Sequence, residues 1–207
     1  MEHATKEKQR LTFTEQMRVF FKGVLEPIAG FFNRLGLMPN TMTILGLVGN
    51  TGGAVLLAQG KMTTGGILIM IMGLMDALDG AMARLRGMDG NFGAFVDSVT
   101  DRYSELVIFA GLLYYYAQKG DKLAVMLVFA AAAGSVLVSY IRSRGQSLGW
   151  EAKVGILTRM ERYLVLAPSL ILNIPMVGLW IIAVFANLTA IQRIIEVRRQ
   201  AYRKDQN

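Results

Sequence analysis

The sequence predicts an all-α integral membrane protein, with six transmembrane helices preceded by an N-terminal interfacial amphipathic helix. Three observations lead there. The 207-residue chain is 53% hydrophobic with a mean hydropathy of +0.40, too apolar for an ordinary soluble domain. Its apolar residues fall into runs close to the ~20 that cross a bilayer at a rise of about 1.5 Å each. Its basic residues gather on alternate connections between those runs.

The first element is the stretch LTFTEQMRVFFKGVLEPIAGFFNRLG, whose apolar residues recur at helical spacing with Arg18, Lys22 and Arg34 between them. That pattern suits a helix lying in the membrane interface and bent or broken near Pro27. An ordinary amphipathic packing helix is the alternative. The spans follow at roughly 40–58, 63–84, 93–118, 122–143, 160–174 and 176–195, the last two divided by a turn at Asn173-Ile174-Pro175. Asp97, Asp101, Arg102 and Glu105 interrupt the third. The organisation expected is a polar N-terminus with the interfacial helix over 1–39, a six-helix transmembrane domain over 40–195 and a basic cytoplasmic tail over 196–207.

The N-terminal region, the 84–92 and 142–162 loops and the segment after Gln192 together hold eighteen Lys or Arg. The opposite loops hold Lys61, Lys119 and Lys122, so the first group, with both termini, is expected in the cytoplasm. The net charge of +7 admits nucleic acid or an anionic membrane surface as partner; so apolar a chain favours the membrane, and no nucleic-acid partner is expected. The opening MEHATKEKQR lacks an apolar run with a small-residue cleavage site, so no signal peptide is expected. Cysteine is absent, which excludes disulfides and thiolate metal sites, and the one histidine, His3, lies in the polar N-terminus. Any metal is therefore a hard cation on oxygen ligands: magnesium, manganese or calcium.

The chemistry concentrates in DALDGAMARLRGMDGNFGAFVDSVTD, residues 76–101. Asp76 and Asp79 stand three apart on one helix, and Gly80 and Ala83 continue that face with almost no side chain. Gly93, Asp97 and Asp101 recur every four residues on a second helix, and LRGMDGNF is short enough to make the two helices antiparallel neighbours. Four carboxylates then converge near the cytoplasmic end of the bundle. Unpaired they would repel one another, and one or two divalent cations remove that cost in an arrangement usual for phosphoryl transfer. Interhelical salt bridges or solvated interfacial charges are the plainer alternative, although intramembrane carboxylates are functional by default.

The spacing D-x2-D-G-x2-A-R-x8-G-x3-D-x3-D, here Asp76, Asp79, Gly80, Ala83, Arg84, Gly93, Asp97 and Asp101, resembles the signature of the CDP-alcohol phosphotransferase family. The resemblance implies a six-span fold and attack of an acceptor hydroxyl on the phosphate of a CDP-linked lipid, releasing CMP. It implies that Asp76, Asp79 and Asp97 hold two magnesium or manganese ions. Asp101 would assist them and take the hydroxyl proton. Gly80 and Ala83 would let the nucleotide approach the helix, and Arg84 would pair with a phosphate oxygen. LGLMPNTMT resembles the family's P-N-x-x-T stretch, which makes Asn40 and Thr43 candidates for the CDP-lipid site; helix capping after Pro39 would explain them equally well.

Downstream, SYIRSRGQSLG and VGILTRMERY gather Arg142, Arg144, Lys153, Arg159 and Arg162. Positive-inside topology and contact with anionic headgroups explain some of these charges; a pocket for a phosphorylated acceptor is the sharper reading. The Y-x-[KR]-x-R and G-I-x-x-R-x-E-R segments resemble the branch of the family that makes phosphatidylinositol phosphate or its archaeal ether-lipid counterpart. Arg142, Arg159 and Arg162 then become candidate ligands of inositol phosphate. Two positions depart from that branch: Gly90 stands where Ser or Thr is frequent, and Thr158 precedes Arg159 where an acidic residue is frequent. Glycerol 3-phosphate is the alternative acceptor. A divalent-cation transporter is the alternative of a different class, and it would scatter carboxylates near the midplane of several helices. The family resemblance also implies a homodimer, and the run Ala130-Ala131-Ala132-Ala133-Gly134 would allow close packing within one chain or between two.

Overall fold

A computed structural model of the chain describes residues 13–87 and 90–204. His3 and the polar N-terminus, part of the LRGMDGNF connection and the side chains of Arg18 and Lys22 lie outside the described residues. The described chain is all α: α1 (Phe13–Arg34), α2 (Pro39–Ala58), α3 (Met62–Leu85), α4 (Asn91–Gln118), α5 (Lys122–Ser147), α6 (Arg159–Ile171) and α7 (Pro175–Lys204).

Four of these, α2, α3, α5 and α7, are long and apolar enough to cross a membrane. Of the other two expected spans, α4 has 28 residues but carries Asp97, Asp101, Arg102 and Glu105 in its first half. With 13 residues, α6 extends about 20 Å, short of the ~30 Å hydrocarbon core. Of the bend or break expected near Pro27, the break is absent, since α1 runs through that proline. Its described part packs Ala29 against Met42 of α2 and Leu78 and Met82 of α3. No helix end marks residue 196, because α7 continues through the basic tail to Lys204.

The connections follow from turn chemistry. Gly60 (φ 80°) and Gly120 (φ 69°) take the left-handed conformation that closes the α2–α3 and α4–α5 turns. Asn173 (φ 57°) does the same before Pro175 opens α7, where the sequence places the turn. The Asp121 carboxylate accepts the Ala124 N–H at 3.0 Å to cap α5. Glu161 accepts the Thr158 N–H at 2.6 Å, half of the capping box that starts α6.

Helix contact relies on small residues. A Cβ added at Gly111 of α4 would lie 2.3 Å from the Ala54 carbonyl oxygen of α2, so only glycine permits that crossing. The alanine-rich run of α5 serves contact within the chain: Ala131 and Gly134 are buried, and Asn187 of α7 donates to the Ala130 carbonyl at 3.0 Å. Arg193 of α7 is buried and donates to the carbonyls of Val138 (2.5 Å) and Val154 (2.9 Å), tying α5 and the 148–158 connection to α7.

Candidate active site

Asp76 and Asp79 are set three residues apart, and at about 100° per residue their directions differ by about 60°. The structure uses that difference. Asp79 turns toward α2 and is buried, 4% exposed, where Thr43 Oγ1 donates to its Oδ2 at 2.7 Å. Asp76 faces α4 and α6 instead. Carboxylate oxygens of Asp76, Asp97 and Asp101 lie within 4.8 Å of one another. The close pairing of α3 and α4 expected from sequence is not formed, since α2 packs against both of them; three of the four aspartates nevertheless come together across the site. Asp79 stands beside them with a protein donor of its own.

Arg159, the first residue of α6, closes over this group. Its Nη2 lies 2.5 Å from Asp101 Oδ1 and its Nη1 3.2 Å from Asp76 Oδ2. Arg102 adds a contact at 3.3 Å to Asp101 Oδ2 while also donating to the Ser98 carbonyl at 2.8 Å. Three oxygen ligands at this mutual spacing suit a hard divalent cation at metal–oxygen distances of about 2.0–2.6 Å. The donor set offers neither nitrogen nor sulfur, which agrees with the metal class left open by the composition.

The candidates for the CDP-lipid divide by position. Thr43 is buried on Asp79, whereas Asn40 is exposed in the first turn of α2. The cap of α2 is Met38, without a side-chain bond, so capping does not account for either residue. A Cβ at Gly80 would meet only the flexible end of Arg84, at 3.3 Å, and one at Gly93 would meet nothing within 4 Å. Arg84 is exposed and Ala83 half-buried. The faces next to the carboxylates are thus open, as the small residues predict.

Behind the carboxylates lies a cavity of about 720 Å³, lined among others by Thr43, Asp76, Asp101, Arg142, Arg159 and Tyr163. Arg142 stands on its wall from α5. Arg162 also reaches the wall, but it is only 2% exposed and its guanidinium is engaged. Its Nε and Nη2 donate to the two Glu105 oxygens at 2.7 and 3.1 Å, and Nη1 reaches the Leu157 carbonyl at 3.3 Å. Such a bidentate pair fixes α6 against α4. Asn40, Gly80, Ala83, Arg84 and Asp97 are not part of the cavity lining.

Two contributors escape the sequence reading. Glu105 is legible only as an interruption of a span, yet it anchors Arg162. Tyr163, one turn after Arg159, places its hydroxyl between the Ile69 carbonyl, to which it donates, and the Gly73 N–H, which donates to it at 3.0 Å. These groups are an i, i+4 pair of α3, so the phenol is wedged into the helix ladder one turn before Asp76. Gly73 makes room for it: a Cβ there would lie 2.3 Å from the Tyr163 ring. The only advance signal is a glycine inside an apolar helix.

The family model described as CDP-alcohol phosphatidyltransferase matches residues 36–192, a stretch that holds every carboxylate and arginine of the candidate site. The chain belongs to the CDP-alcohol phosphatidyltransferase family. It is 37% identical to the phosphatidylinositol phosphate synthase of Streptomyces avermitilis over 205 aligned positions, covering 91% of this chain and 83% of that protein. It is 35% identical to the enzyme of the same name from Mycobacterium tuberculosis, covering 86% of this chain and 87% of that one. The crystal structure of the Mycobacterium tuberculosis phosphatidylinositol phosphate synthase with CDP-DAG bound superposes with a TM-score of 0.79 at 33% identity, covering 84% of this chain and 93% of that chain. The same enzyme, with the same TM-score and identity, has been crystallised in complex with manganese and citrate. Membership in this family and four apolar helices of spanning length make the chain an integral membrane protein.

Proposed function

We propose that this protein transfers the phosphatidyl group of CDP-diacylglycerol, or of an ether-lipid analogue, to a hydroxyl of inositol phosphate, with release of CMP. One observation carries the reading: Asp76 and Asp101 belong both to the carboxylate cluster and to the wall of a cavity that Arg142 and Arg159 also line. A group that accepts a proton is thereby placed between a metal-suited site and cations that suit a phosphate.

In the reaction, the acceptor hydroxyl oxygen forms a bond to the phosphorus that carries diacylglycerol. The bond from that phosphorus to the CMP oxygen breaks, and the hydroxyl proton passes to Asp101. Asp76, Asp97 and Asp101, with Asp79 behind them, would hold two magnesium or manganese ions, which when bound neutralise the pyrophosphate and the departing CMP. Asn40, Thr43, Gly80, Ala83 and Arg84 serve the CDP-lipid, with Thr43 orienting Asp79 and the small residues keeping the helix surface approachable. Arg142 and Arg159 hold the acceptor phosphate. Arg162, engaged by Glu105, acts by fixing the start of α6.

The membrane arrangement proposed keeps six spans, with α4 and the short α6 completing the bundle around the polar site and α1 lying in the interface. The basic loops put the active site at the cytoplasmic face. The division into 1–39, 40–195 and 196–207 stays as the working one, and the protein is proposed to act as a homodimer. Glycerol 3-phosphate remains the second acceptor, because the same arginines suit its phosphate. The test is CMP release by purified protein with CDP-diacylglycerol and each of inositol phosphate, glycerol 3-phosphate, inositol and serine. Release dependent on inositol phosphate is expected; equal rates with unphosphorylated inositol would refute the arginine assignment.

A further inference from the structure

One polar side chain in the cavity takes no part in anything described so far. Asn50 of α2 is 7% exposed, lines the cavity, and its Oδ1 has no hydrogen-bond partner among the described residues. Burying an amide oxygen without a donor is unfavourable, so such a group in a ligand cavity points to a ligand. The placement narrows which ligand. Thr43, Gly46 and Asn50 follow one another at helical spacing along the same face of α2, and all three line the cavity. Asn50 is about 10 Å along the helix from Thr43, toward the middle of the bundle. Helical side chains tilt toward their N-terminus, which aims its amide back toward the level of the carboxylates.

The two substrates differ in where their candidate residues stand. Of the CDP-lipid candidates, Asn40, Gly80, Ala83 and Arg84 are outside the cavity and Thr43, which lines it, spends its hydroxyl on Asp79, whereas Arg142 and Arg159, on the acceptor side, are in its wall. A molecule filling the cavity is therefore the acceptor. With its phosphate at the arginines and its reacting hydroxyl at Asp101, the part that remains is the polyol body, and this is the part Asn50 faces. We infer that Asn50 is a specificity-determining residue that accepts a hydrogen bond from a non-reacting hydroxyl of the phosphorylated polyol. The inference rests on the proposed function for the side on which the acceptor sits. A site built to bond a hydroxyl discriminates strongly against analogues that lack it.

The experiment compares wild type with Asn50→Leu, which is close in size and lacks the amide, using the phosphorylated polyol that the wild type turns over and a set of its monodeoxy analogues. Failure of inositol phosphate in the wild type would count against the proposed function, while the variant still judges Asn50 with the acceptor that works. The expected result is an acceptor KM raised about ten-fold at unchanged CDP-diacylglycerol KM. One deoxy analogue should show that same loss with the wild type and no further loss with the variant. An unchanged acceptor KM, an equal rise for the CDP-lipid, or additive losses for every deoxy analogue would overturn the inference. Asn50→Ala, which only removes atoms, gives the same comparison if the leucine variant does not fold.

Discussion

Two regions of this molecule hold charge in opposite ways. On the α3–α4 side, aspartates at fixed spacing stand next to small residues, and three of them converge. On the α5–α6 side, arginines of similar density are sorted by depth. Arg142 is exposed, Arg159 bridges Asp76 and Asp101, and Arg162 is buried on Glu105. The carboxylate side is a site made by spacing; the arginine side is made by partners. Spacing within one helix is visible in a sequence, whereas a partner on another helix is not.

The comparison can be broken most forcefully at Asp101, where the two regions meet. Asp101→Asn is expected to lower CMP release by about 10²–10⁴-fold, with divalent binding largely retained. Manganese binding followed by electron paramagnetic resonance, beside turnover, checks this, and near-normal turnover would remove Asp101 as the base. Removing divalent metal by chelation should abolish release, and magnesium or manganese should restore it.

A smaller effect is expected from Gly111→Val. The added carbon atoms would drive α2 from α4 at the Ala54 carbonyl, at a cost of about 1–3 kcal/mol. A lower melting temperature in detergent, with turnover falling in proportion to folded protein, is the outcome that checks it. Thr43→Val strips Asp79 of its donor at similar shape, at a cost of about 1–3 kcal/mol. It should raise the CDP-diacylglycerol KM and leave the acceptor KM alone.

Arg159→Ala sharpens the contrast, because Arg159 touches both regions. Removing a cation beside Asp76 and Asp101 should lower the manganese concentration for half-saturation several-fold, while the acceptor KM rises. An acceptor effect without a metal effect would detach Arg159 from the carboxylates. The smallest change is expected for Tyr163→Phe, which keeps the ring against Gly73 and loses two hydrogen bonds to α3, about 1 kcal/mol in all.

Much of the fold was legible because apolar runs, turns and small residues are local. The turns at Gly60, Gly120 and Asn173 and the helices around them lie where composition places them. Less legible was the shortness of α6: it starts where the expected span 160–174 does but ends at Ile171, because Leu172 caps it and Asn173 turns the chain into α7. In the site, the convergence of Asp76, Asp97 and Asp101 was readable from periodicity. The separation of Asp79 was not, since a rotation of about 60° along one helix face decides which neighbour each carboxylate meets. Arg162 read as a ligand because its partner Glu105 lies 57 residues away. Asn50 carried no motif at all, and only the cavity makes it conspicuous.

The central claim is that the carboxylate side handles the CDP-lipid and the chemistry while the arginine side selects the acceptor. The most direct measurement is a crossed determination of both Michaelis constants in Arg142→Ala and Gly80→Val. The account predicts that Arg142→Ala raises the inositol phosphate KM at constant CDP-diacylglycerol KM, and that Gly80→Val does the reverse. Variants that each raise both constants equally would contradict it.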